Sequence, residues 1–86
     1  MSKEQDRILT NLEAVFLPRL KETFGSNLTA VILYGSVVKE TFTDGFSDAN
    51  VLILLGEADP TSIVKLGKTG RSVMRKNRIN PLLLTA

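Results

Sequence analysis

Leu28-Thr29-Ala30-Val31-Ile32-Leu33-Tyr34-Gly35-Ser36 and, eleven residues later, Asp48-Ala49-Asn50-Val51-Leu52-Ile53-Leu54-Leu55-Gly56 decide how this chain folds. Each is a nearly continuous apolar run of strand length that stops at a glycine, the pattern of a strand buried on both faces. Side chains alternate along a strand, so Ala49, Val51, Ile53 and Leu55 share one face of the second run. Asp48, Asn50, Leu52 and Leu54 share the other, with polar residues only at the entrance. So short a connection suits a return to the adjacent strand running antiparallel, which brings the end of the first strand beside the start of the second. Gly35, Ser36, Asp48 and Asn50 then meet at one edge of a sheet.

Outward from this pair, residues 3–24 repeat apolar side chains at helical spacing, Ile8, Leu9, Leu12, Phe16, Leu20 and Phe24. Pro18 should kink or divide that helix, and Gly25 should stop it. Residues 37–42 can form a short helix, followed by a loop around Gly45. Beyond Gly56, Asp59-Pro60 reads as a helix start with Asp59 as N-cap, and Ile63, Val64, Leu66, Val73 and Met74 as its buried side. Gly67 and Gly70 weaken this helix by roughly 1 kcal/mol each relative to alanine. Asn80-Pro81 marks its end, and Leu82-Leu83-Leu84 begins a third strand. The fold class is therefore α/β: a small mixed, largely antiparallel, three-stranded sheet packed with helices, with residues 1–86 as a single domain.

Composition narrows the chemistry. The chain has no cysteine, which excludes disulfides and thiolate metal sites and fits a reducing cytoplasm. It has no histidine either, which excludes a hydrolase triad or a histidine-bound zinc water. Carboxylate chemistry remains. The opening MSKEQDRILTNLEAV is charged throughout, unlike a signal peptide, and the longest apolar runs are far short of the ~20 residues a membrane span needs, so no membrane partner is expected. All nine acids lie in residues 1–59, whereas Lys65, Lys68, Arg71, Arg75, Lys76 and Arg78 follow without an acid among them. Such a segment is either a solvated helix face or a contact for nucleotide or nucleic acid.

At the shared sheet edge, the Gly35 backbone lets a phosphate approach, Ser36 can donate its hydroxyl, and a following helix can offer free N–H groups to the anion. Asp48 and the residue two along point to the same side, where a pair of carboxylates could hold magnesium. The bland alternatives are a serine helix cap, an aspartate bonded to loop N–H groups, and a structural amide at Asn50.

Leu33-Tyr34-Gly35-Ser36 followed by Ser47-Asp48-Ala49-Asn50-Val51-Leu52-Ile53 resembles the signature of the minimal nucleotidyltransferases of the polymerase-beta-like superfamily, in which Gly-Ser precedes a Ser-Asp-x-Asp strand. The resemblance covers residues 28–56. It implies that Gly35 and Ser36 hold the phosphates of ATP or another nucleoside triphosphate, that Asp48 ligates Mg2+, and that Asp48 and Asn50 hold the catalytic positions. It implies transfer of a nucleoside monophosphate to an acceptor. The chain departs from the pattern at Asn50, where the second aspartate belongs; in residues 37–41, which lack a glycine usual there; and in the third strand, which carries no carboxylate. Two readings follow: a nucleotidyltransferase domain that lacks its C-terminal part, with the rest of the site beyond Ala86, or a catalytically inactive nucleotide- or partner-binding module of the same fold. With three strands, one sheet edge and the apolar side of the first helix are expected to need cover, for which a homodimer is the usual remedy.

Overall fold

In a computed structural model, which describes residues 3–39, 42–43, 48–57 and 60–85, the first periodic segment is one helix, α1, over residues 3–24. Its inward stripe, Ile8, Leu12, Phe16, Leu20 and Phe24, steps by four residues every time and is buried at every step. At about 100° per residue, a strict four-residue step drifts by roughly 40° per repeat in an α-helix, enough to carry one end of the stripe away from the core. The helix corrects the drift with a π-helical turn at Leu12–Phe16, where the Leu17 N–H donates to the Leu12 carbonyl. Such a turn is wider than an α turn and rotates less per residue. Pro18 follows at the start of the second α-helical stretch, where its missing N–H costs little. The helix is thus re-phased ahead of the proline rather than broken at it. It ends at Gly25, which takes φ +54°.

The three strands are β1, Leu28–Tyr34; β2, Ala49–Leu55; and β3, Ile79–Thr85. Their order is β1-β2-β3, with β1 antiparallel to β2 and β2 parallel to β3. The sheet is mixed as expected, with one pair of each kind rather than a largely antiparallel set. The second helix, α2, Pro60–Lys76, makes the crossover that parallel pairing requires. Asp59, the expected N-cap, and the loop residues 44–47 lie outside the described residues.

Ala49, Val51, Ile53 and Leu55 are fully buried beneath α1, forming with its stripe and with Val37, Leu66 and Ile79 the hydrophobic core. The expectation that both strands are buried on both faces does not hold. The other face carries the rows Tyr34-Asn50-Asn80, Ile32-Leu52-Leu82 and Ala30-Leu54-Leu84, and Ile32, Tyr34, Leu82 and Leu84 stand exposed on it. The described helices cover one side of the sheet, and apolar alternation cannot reveal which.

Three further expectations are corrected. The helix over residues 37–42 is instead a 3-10 turn at Gly35–Val38, because Val37 is drawn into the core and Lys39 is extended. Of the expected buried side of α2, Leu66, Val73 and Met74 pack in or against the core but Ile63 and Val64 are exposed; the buried positions of the helix are Ser62, Leu66 and Gly70. Small residues there allow close packing, since a Cβ on Gly70 would lie 2.8 Å from Phe16 Cε1. Gly70 is therefore a packing requirement rather than a weakness. Finally, α2 ends at Lys76, well before Asn80-Pro81. Buried Asn77 donates its amide to the Val73 carbonyl (2.9 Å) and accepts from Arg7 (2.7 Å) and Asn11 (2.9 Å) on α1. Arg78 then takes φ +51°, a left-handed turn that starts β3 three residues earlier than the leucine run suggested.

Candidate functional site

The register of β1 on β2 pairs Tyr34 with Asn50, so Gly35 and Ser36 leave β1 at the end of the sheet where Asp48 and Asn50 begin β2. All four sequence candidates lie at that end. The turn bearing Gly35 and Ser36 is anchored from below: buried Gln5 of α1 donates its side-chain amide to the carbonyls of Val37 (2.9 Å) and Lys39 (3.0 Å), and the Ser36 carbonyl accepts from the Lys39 N–H (3.0 Å).

Gly35 is there for two reasons. Its φ of +82° is a conformation that L side chains rarely adopt. A Cβ would also sit 2.7 Å from Asn50 Nδ2. The Asn50 amide therefore occupies the space that the missing side chain leaves, so these two candidates are in direct contact. A phosphate approaching the Gly35 backbone from this side would meet an amide N–H2, a neutral donor.

Asp48 has other partners. Its Oδ2 accepts from Asn80 Nδ2 at 3.0 Å, and its Oδ1 lies 3.8 Å from Arg78 Nε. The same guanidinium also pairs with Glu4. The backbone closes the arrangement, as the Ala49 N–H donates to the Arg78 carbonyl at 2.9 Å. Parallel pairing sets Asn80 directly beside Asn50. Around Asp48 opens a cleft of about 420 Å³, with Arg71, Arg75 and Arg78 on its walls and Asn80 and Pro81 on the strand side. With the Arg78 guanidinium shared between Asp48 and Glu4, Arg71 and Arg75 give the cleft a positive wall.

Arg78 and Asn80 are the site residues that the sequence reading missed. Arg78 was one cation in a basic segment, and Asn80 a helix-end marker. The signal that could have found Asn80 is its spacing: if β3 is parallel to β2 and starts at Ile79, Asn80 must flank Asn50.

The donor set does not fit Mg2+. Magnesium asks for oxygen ligands in a strict octahedron and favours carboxylates. Among the described residues no group of three or more acids, histidines or cysteines gathers to hold a metal ion. The Asp48 carboxylate already faces an amide donor and a guanidinium, and the positions beside it on β2 and β3 are amides. Glu40 and Asp44 lie outside the described residues. No helix among the described residues is long and apolar enough to cross a membrane. No protein-family model matches the chain, and neither a curated protein nor a solved structure shows significant similarity to it.

Proposed function

We propose that this chain is a nucleotidyltransferase-like domain that binds a nucleotide through its phosphates and does not transfer it. The observation that carries the reading is the state of Asp48, whose carboxylate is held between Arg78 and Asn80 while Asn50 and Asn80 fill the neighbouring positions with neutral amides. Phosphoryl transfer of this type relies on metal ions to bridge phosphate oxygens and neutralise the developing charge, and those ions need several anionic ligands. Remove the ligands and the charge of a triphosphate must be met by cations of the protein instead. Arg71 and Arg75 flank the cleft without an ion-pair partner among the described residues. At the same end of the sheet Tyr34, exposed in one row with Asn50 and Asn80, offers a ring and two amides to a base.

Thermal melts with ATP test this. The native chain is expected to rise in melting temperature with ATP equally with and without magnesium, by ligand linkage. Asn50→Asp, which sets a second carboxylate on the Asp48 side of the strand, should make the shift depend on magnesium. Pyrophosphate release from magnesium-ATP by the native chain would favour the active transferase instead. The absence of any ATP effect on the native chain would remove the nucleotide from the reading.

A further inference from the structure

The two edges of the sheet are guarded differently. β3 carries Pro81, which has no N–H to offer a neighbouring strand, a common way of blunting an edge. β1, Leu28–Tyr34, carries neither proline nor charge over its seven residues, and its outer side faces no strand among the described residues. Alongside it runs an apolar groove of about 880 Å³ between β1 and the flank of α1, where Leu9, Leu17, Leu28, Val31 and Leu33 contribute the apolar walls. Leu9, Leu28, Val31 and Leu33 pack against the core yet stay only partly buried, so the core is left uncovered along this one side.

We infer that a second copy of this chain covers it: two β1 strands pair antiparallel about a two-fold axis, making a six-stranded sheet with the two α1 helices side by side on one face. The charges of the groove favour a copy of itself over another partner. Its helical flank reads Glu13, Leu17, Lys21, one residue per turn, with opposite charges placed symmetrically about a leucine. β1 runs back along α1 from the turn at Gly25–Asn27. Three residues of strand cover about the same 10 Å as seven of helix, so Val31 stands level with Leu17. A two-fold axis through the middle residue of β1 therefore also passes Leu17, and there Glu13 of each copy meets Lys21 of the other. Two strands meeting at Val31 use the free edge along its whole length. The basic α2, which would repel a copy, has no part in this groove.

The test is the mass of the full chain by light scattering across a concentration series, repeated for surface charge variants that leave the core alone. The native chain should be a dimer. Glu13→Lys and Lys21→Glu should each weaken it roughly tenfold, because each reversal sets like charges together twice in the symmetric pair. The double swap, Glu13→Lys with Lys21→Glu, should restore the native dissociation constant, and Leu82→Thr on the open face should leave it unchanged. A native monomer at about 100 µM would overturn the inference, since that is weaker than ordinary specific association. So would a dimer that ignores the charge swaps, or one that Leu82→Thr disrupts.

Discussion

The two faces of the sheet are made of nearly the same residue types and have opposite fates. On one, Ala49, Val51, Ile53 and Leu55 are fully buried under α1. On the other, Ile32, Leu82 and Leu84 remain 46%, 48% and 44% exposed. The contrast teaches that apolar character alone does not assign a residue to the core of this domain. The covered face is where folding free energy comes from, and the open face is surface held flat by it. At one end of that open face lie Asn50, Asn80 and Tyr34, so the polar groups of the sheet gather on the side that contributes least to stability.

If that contrast is right, equal truncations on the two faces should have unequal costs. Ile53→Ala removes a fully buried side chain from the central strand and should destabilise the domain by about 2–5 kcal/mol in urea or thermal unfolding. Gly70→Ala comes next. Alanine favours a helix by about 1 kcal/mol over glycine, but here its Cβ would press on buried Phe16, and overpacking of this kind costs about 1–3 kcal/mol. A net loss is expected, and a net gain would show that α1 and α2 are not in close contact at this point. Leu82→Thr should have the smallest effect, within about 0.5 kcal/mol, with a fall in binding of a hydrophobic dye. A cost for Leu82→Thr near that of Ile53→Ala would break the comparison and mean that something covers the open face.

β1 and β2 were readable because each is an apolar run with β-branched residues that ends at a glycine, and their antiparallel pairing followed from the short connection between them. The same composition concealed the covered side, because Leu52 and Leu54 look no less suited to a core than Ile53 and Leu55. α2 misled at Ile63 and Val64 for the converse reason: it approaches α1 so closely that the contact with Phe16 is made at Gly70, while the larger Ile63 and Val64 are exposed. Gly35, Ser36, Asp48 and Asn50 could be gathered at one sheet edge from spacing alone. Arg78 and Asn80 could not, because their position depends on where α2 stops, and that stop is made by a non-glycine residue in a left-handed turn, secured by the buried side chain of Asn77.

The π turn of α1 also bears on insertion and deletion. A π turn is an α-helix with one residue more than the hydrogen-bond ladder needs, so a chain shorter by one residue within Leu12–Phe16 could close that ladder regularly. It would do so with the phase kept, because the extra residue is absorbed in the wide turn and its loss leaves the flanking turns facing as before. Gln5 would still face the Val37 and Lys39 carbonyls, and Arg7 and Asn11 would still face Asn77. The π turn is thus what lets a helix with one supernumerary residue keep its first turns in touch with both the turn bearing Gly35 and the end of α2. A one-residue deletion elsewhere in the helix would instead swing those turns by about 100°. A relative of this chain with a one-residue gap at the π turn can hold its candidate site by the same contacts, through a regular α-helix.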